Sequence, residues 1–256
     1  MNHRARKRFG QNFLHDPGVI QRIIQVIGAQ PGEKLVEIGP GQGAITLPLL
    51  QACHQLHVVE LDRDLIAPLA QQAAGVGELL IHQDDALGFD FSSLAEGHRL
   101  RIVGNLPYNI STPLLFHLLS QSGSIQDMHF MLQKEVVDRM AASPGGSDYG
   151  RLSVMIQYHC QVQPLFRIGP GAFNPAPKVD SAFVRLTPWT TLPVTVADYE
   201  QFKNLVRQAF SQRRKTLRNT LKTLLDENAI RAAGVDPGIR PENVTLEQYA
   251  VLAGKL

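Results

Sequence analysis

The chain has 256 residues, 44% hydrophobic and 19% charged, with a net charge of only +2. That is ordinary globular composition, enough for a well-buried core and one or two domains, and it excludes a disordered or fibrous chain. No apolar run reaches the ~20 residues of a membrane span, the N-terminus lacks the apolar core of a signal peptide, and the two cysteines, Cys53 and Cys160, form no C-x-x-C, so a cytoplasmic protein without disulfides or a metal site is expected.

Residues 1–15 read as a basic arm. Arg4, Arg6, Lys7 and Arg8 have no acid among them; alone they are a solvated terminus, and beside a nucleic acid they are phosphate contacts. Phe13 and Leu14 follow early enough to suggest that the arm docks. Asp16-Pro17 then predicts a capped helix start, with Val19, Ile20, Ile23, Ile24 and Ile27 on one face.

Residues 34–38 predict a strand, followed at once by Gly39-Pro40-Gly41-Gln42-Gly43 and a helix over 44–53. A strand, a glycine-rich turn and a helix let backbone approach a ligand closely. Gly39, Gly41 and Ala44 satisfy the G-x-G-x-x-A dinucleotide pattern. A second strand over 57–61 ends in Glu60, 21 positions after Gly39, where a carboxylate binds ribose hydroxyls. Asp62 predicts a cap for a helix over 63–74. This leaves nicotinamide dinucleotides and S-adenosylmethionine open. Glu37 leans towards the second: the dinucleotide pattern has an apolar residue there, and a half-buried carboxylate needs a partner, either the ammonium group of a methionine moiety or the amides of the loop.

A third strand over 79–82 is followed by Asp84-Asp85, of which Asp85 is the candidate acceptor for a cofactor adenine and Asp84 its rival. A fourth strand over 102–104 runs into Asn105-Leu106-Pro107-Tyr108, and Thr112-Pro113 predicts the next helix start. The Asn105 side-chain carbonyl and the Leu106 backbone carbonyl, held extended by the following proline, are two acceptors for an exocyclic amine, and Tyr108 offers a face for a base. Four strands ending in Glu37, Glu60, Asp85 and Asn105 put polar groups along one sheet edge, where ligands of open α/β sheets bind.

A fifth strand is expected over 128–132, helices over 134–142 and 151–159, and a last strand over 182–186. Three prolines between 170 and 177 stiffen the loop carrying Phe173, which either packs in the core or faces a ligand. After a linker at 188–193, helical patterning runs from Asp198 to the end. Lys203, Arg207, Arg213, Arg214, Lys215, Arg218 and Lys222 lie there with no acid between 203 and 222. Unopposed cations favour a phosphate backbone as partner.

Taken together, Gln11-Asn12-Phe13-Leu14, the 37–43 segment, Glu60-Leu61-Asp62, Asp85-Ala86, Asn105-Leu106-Pro107-Tyr108 and Phe173-Asn174-Pro175-Ala176-Pro177-Lys178-Val179-Asp180-Ser181 resemble the ribosomal RNA adenine N6,N6-dimethyltransferases. The bacterial small-subunit (16S) kind is the nearest match, and the resemblance covers nearly the whole chain. It implies a Rossmann-like class I methyltransferase of the α/β class, with a seven-stranded, mostly parallel sheet over 16–190 and a small all-α domain over 194–256 that binds RNA. It implies S-adenosylmethionine as cofactor, no metal, and a monomer acting on 16S rRNA within the immature 30S subunit. By the same resemblance Asn12 and Leu14 close over the cofactor, Gly39 and Gly41 approach it, Glu60 takes its ribose and Asp85 its adenine, Asn105 touches cofactor and target, and Tyr108 and Phe173 sandwich a flipped base. Gln42 departs from the family, which often has a small or apolar residue there. An enzyme on large-subunit rRNA and an assembly factor for the small subunit are the alternative readings.

Overall fold

A computed structural model describes residues 11–212 and 214–256. The expectations on Arg4, Arg6, Lys7, Arg8 and Arg213 lie outside the described residues. The chain divides into two compact units, one of residues up to 137 with 163–188 and one of 138–162 with 189–256. The second is therefore not confined to residues beyond the linker.

The first unit begins with β1 (Phe13–Leu14) and α1 (Pro17–Ile27). Asp16 caps α1 by accepting from the Val19 amide at 2.9 Å, with Pro17 in the first turn where no amide is needed. Then follow β2 (Lys34–Ile38), α2 (Thr46–Cys53), β3 (Gln55–Val59), α3 (Arg63–Ala73), β4 (Glu78–His82), β5 (Leu100–Asn105), α4 (Ser111–Ser120) and β6 (Ile125–Gln133). The helix after Tyr108 starts at Ser111 with Ile110 at its cap, two residues before the expected start with Thr112 as cap and Pro113 as first helical residue. After α5 (Lys134–Ala141) and α6 (Arg151–His159) come β7 (Cys160–Ile168), β8 (Phe173–Asn174) and β9 (Ser181–Pro188).

The main sheet has seven strands in the order β4-β3-β2-β5-β6-β9-β7, parallel from β4 to β6 with β9 antiparallel to β6. β2 is buried from Leu35 to Ile38, the continuous burial of a central parallel strand, with Glu37 the one charged residue in the run. β7 is the strand the residue pattern does not reveal. Pro164 interrupts it, so it can sit only where a backbone amide is dispensable, and it forms the sheet edge. The core gathers Ile23 and Ile27 of α1, Leu49 and Leu50 of α2, and Leu35, Leu56 and Val103 of the sheet.

The second unit packs α6 against α7 (Tyr199–Ala209) and α10 (Leu246–Ala253), with α8 (Leu217–Thr220) and α9 (Glu227–Ala232) between the last two in sequence. Tyr158 of α6 lies 5.0 Å, ring to ring, from the buried Phe202 of α7. Burying these rings adds to an apolar core that also holds Leu205, Leu217, Ile230 and Tyr249. No helix of the described residues is long and apolar enough to cross a membrane.

Candidate active site

The order of the strands creates the site. From β2 the chain adds β3 and β4 on one side, then returns with β5 on the other. A crevice opens at such a reversal beyond the carboxyl ends of the strands. Register sets what reaches it. Ile38 pairs with Gly104 and with Val59, the Gly39 amide donates to Val59 O at 3.0 Å, and the Glu60 amide donates to His82 O at 3.0 Å. Gly39, Glu60, Asp84 and Asn105 therefore arrive at one edge. Asn12, Leu14, Glu37, Gly39, Gly41, Glu60, Asp84, Asp85, Asn105, Leu106 and Tyr108 all line a single cavity of about 350 Å³, and Gln42 lines it as well.

Glu37 is 2% exposed, and its Oε2 has no hydrogen-bond partner among the described residues. Burial pushes its pKa up to about 7; the neighbouring Thr46 hydroxyl pulls the other way and Glu60 adds to the rise. A buried carboxylate oxygen without a donor is costly until a cation or donor arrives. Glu60 is also raised by burial, opposed by the Asp62 amide, which donates to Oε1 at 2.7 Å, and by the Gly41 amide. Asp84 and Asp85 are exposed on the rim. Asp84 Oδ1 accepts from the Asp85 amide at 2.7 Å and Asp85 Oδ1 from the Leu87 amide at 2.9 Å. These are self-capped loop acids with further lone pairs to offer.

The glycine turn is shaped for close approach. Gly39 and Gly41 have φ of +67° and +57°, and a Cβ on Gly41 would meet Phe13 Cδ1 at 3.1 Å. Phe13 is held there because β1 pairs with β8, and Gln11 Nε2 donates to Asp62 Oδ2 at 3.2 Å. Residues 11–14 thus line the cavity, with the apolar Phe13 and Leu14 docked as expected of them. Asn105 Nδ2 donates to the Asn12 carbonyl at 2.9 Å. That bond orients the amide and leaves Oδ1 as the acceptor.

Leu61 and Gly104 shape the crevice without a site role being evident in the sequence. Leu61 lines the cavity and is 50% exposed, an apolar rim residue beside Glu60. Its signal was an apolar side chain after a strand end, which in the sequence is indistinguishable from core. Gly104 is the other: a Cβ there would stand 2.7 Å from the Ile38 carbonyl oxygen, so only glycine lets β5 pass β2 at the crevice.

Phe173 takes the first of the two places open to it, the core. It does not line the cavity; it is 3% exposed, pairs with Leu14 across the two-stranded sheet, and belongs to the core with Ile168 and Ala172. Burial of the ring in that core is the stronger driving force for an aromatic on a short strand. Of the two expected base-stacking rings, only Tyr108 is on the cavity wall.

The basic tail also differs from expectation. Residues 203–222 are not one helix: α7 ends at Ala209 and α8 begins at Leu217. Nor are all its cations unopposed. Lys203 Nζ lies 3.1 Å from Glu200 Oε2, and Arg218 lies 3.8 Å from Glu227, while Arg207 donates to Asn204 Oδ1 at 2.7 Å. The acids stand just outside the stretch in sequence, one helical turn away or on α9. Arg214, Lys215 and Lys222 are exposed without a carboxylate partner among the described residues.

Residues 2–255 match the family model for ribosomal RNA adenine dimethylase. The chain belongs to this family. As a ribosomal RNA adenine dimethylase it is an S-adenosylmethionine-dependent methyltransferase with the class I Rossmann-like fold. It is 62% identical over 255 residues to the ribosomal RNA small subunit methyltransferase A of Pseudomonas fluorescens strain Pf0-1, covering 99% of this chain and 94% of that one. A dimethyladenosine transferase from Plasmodium falciparum superposes with a TM-score of 0.79 at 27% identity over 94% of this chain and 95% of that one. The 23S rRNA methyltransferase ErmE superposes with a TM-score of 0.74 at 26% identity, over 96% and 99%. The cavity suits this donor: it offers an orphaned buried carboxylate oxygen at Glu37, an acid at the end of the next strand, and glycines that clear space for the ligand.

Proposed function

We propose that this dimethylase modifies two adjacent adenosines in the hairpin loop near the 3′ end of 16S rRNA, giving N6,N6-dimethyladenosine at each. It does so as a cytoplasmic monomer, on the immature 30S subunit. The observation that carries the adenine chemistry is Asn105. Its amide nitrogen is committed to Asn12, and its carbonyl oxygen is left as an acceptor on the wall of the cavity.

When bound, S-adenosylmethionine supplies a methyl group made electrophilic by its sulfonium. Glu37 would receive its ammonium, Glu60 its ribose hydroxyls, and Asp85 or Asp84 its adenine amine. The chain's own task is to prepare the target. An adenine amine is a poor nucleophile because its lone pair is delocalised into the ring. Asn105 Oδ1 and the Leu106 carbonyl would accept its two hydrogens and favour a pyramidal nitrogen with its lone pair exposed. Positioning and fixed dipoles then supply most of the rate. No strong base is required, because the alkylated nitrogen is acidic. The target leaves its stack at a cost of a few kcal/mol, offset by contact with the Tyr108 face. Arg207, Arg214, Lys215, Arg218 and Lys222 of the second unit, together with Arg213 and the cations of residues 4–8, are the proposed phosphate contacts.

The choice of substrate rests on the Leu106 form of the Asn-Leu-Pro-Tyr turn and on the relatives named for the small subunit. Incubation with labelled S-adenosylmethionine and unmethylated small subunits, large subunits or DNA, followed by mapping, tests it. Label on adjacent adenosines of 16S rRNA alone is expected; label chiefly on the large subunit or DNA overturns the reading.

A further inference from the structure

Tyr108 is held at both ends, and the far end is held by a residue with no assigned part in the reaction. Its backbone carbonyl accepts from Ser111 Oγ at 3.1 Å within the turn that follows β5. Its phenolic oxygen lies 2.7 Å from Ser181 Oγ. Ser181 is fully buried and opens β9, where it pairs with Gln133 of β6. The neighbouring Asp180 is fixed as well: its carbonyl accepts from the Lys134 amide at 2.9 Å and its carboxylate from Arg167 at 2.5 Å. The serine hydroxyl therefore projects from a rigid sheet end, while Tyr108 rides on a short turn whose own bonds are long, 3.1 and 3.2 Å.

We infer that Ser181 is a positioning residue for methyl transfer: its hydroxyl anchors the Tyr108 phenol and so fixes the ring that forms the wall of the adenine pocket. A ring on a turn has two free side-chain torsions. A bond at its tip fixes where the ring lies. The phenolic hydroxyl is conjugated with the ring, so its hydrogen and lone pairs stay near the ring plane, and the same bond biases the tilt. With its oxygen spent on Ser181, Tyr108 presents a face and not a polar group to the cavity. Burial also raises its pKa, which keeps the phenol protonated and unsuited to act as a base.

This inference rests on the reading of Tyr108 as the base-stacking wall, and the variants separate the two. Tyr108→Ala removes the wall, Tyr108→Phe removes only the hydroxyl, and Ser181→Ala removes only the anchor. Single-turnover rates on small subunits are measured for each and for the Tyr108→Phe/Ser181→Ala double variant, with S-adenosylmethionine affinity measured by calorimetry. Each single hydroxyl deletion is expected to lower the rate constant about three- to tenfold, the equivalent of one neutral hydrogen bond, with cofactor affinity and RNA KM unchanged. The double variant should be no slower than the slower single one, because both remove the same bond. A multiplicative loss in the double variant, or a wild-type rate in Tyr108→Phe, overturns the anchor. If Ser181→Ala fails to fold, the rate of Tyr108→Phe decides alone. If Tyr108→Ala itself keeps the wild-type rate, the underlying reading of the wall fails instead.

Discussion

The candidate cofactor edge and the basic tail were both conspicuous in the sequence, yet folding treated them differently. At the edge, each motif sits where a strand ends, and parallel register carries every strand end to the same side. Local sequence and tertiary position therefore agree. In the tail, the signal was the absence of acids over a stretch of sequence, and charge does not respect sequence windows. Glu200 stands one turn before Lys203 on α7, and Glu227 reaches Arg218 from α9. A motif set by backbone geometry keeps its neighbours through folding, whereas the acid-free stretch at 203–222 meets two carboxylates, Glu200 and Glu227, that stand outside it in sequence.

The sharpest break of that comparison is Asn105→Ala. If the edge is the chemical centre, methyl transfer should fall ~10²–10³-fold, as for loss of one polar group that acts in the transition state, with RNA binding largely kept. Quench-flow turnover near the wild-type value would remove Asn105 from the mechanism.

The next effect is on pH. Burial raises Glu37 from 4.5 to about 7, so its protonated form is the one the fold favours. Its stabilising contribution is complete below the unfolded value and is lost as pH rises through the folded one. Stability of the cofactor-free protein should decline between pH 4.5 and about 7, by on the order of 3 kcal/mol. Glu37→Gln should flatten that decline in urea titrations across pH. An ammonium group arriving at Glu37 favours the carboxylate, so cofactor binding near pH 6 should release a proton, visible as a buffer-dependent binding enthalpy.

Glu60→Ala should weaken S-adenosylmethionine by roughly 1.5–3 kcal/mol, the range for hydrogen bonds to a charged group, and leave RNA affinity alone. Unchanged cofactor affinity in calorimetry would count against the ribose site.

The smallest effects fall on the tail and test the pairing found there. Replacing Arg214 and Lys215 with Ala should flatten the salt dependence of small-subunit binding by about one unit per lost phosphate contact. Lys203→Ala should change it less, because Glu200 already neutralises that charge in the free protein. Equal slopes for both variants would erase the distinction between paired and unpaired cations.

The alternation of strands, glycine turn and helices was legible because buried parallel strands and capped helices write themselves locally: Asp16 and Asp62 cap the helices expected of them, although Ile110, and not Thr112, stands at the cap of α4. The candidate edge was legible for the same reason. β7 was not, since Pro164 breaks the run and only its two end residues, Cys160 and Ile168, are buried, so no apolar face repeats along it. Phe173 was ambiguous in sequence; pairing with Leu14 across β1 and β8 decided that it belongs to the core. Gly104 looked like one more small residue in an apolar run until the Ile38 carbonyl was found against it. The bond between Tyr108 and Ser181 joins residues 73 positions apart, a separation no local pattern encodes. What the chain determined by itself was which chemical groups stand at the ends of its elements, because propensity, capping and turn geometry act over a few residues. Which of those groups face each other, and which are buried or neutralised, was decided only by strand order and packing, because those depend on neighbours that sequence distance conceals.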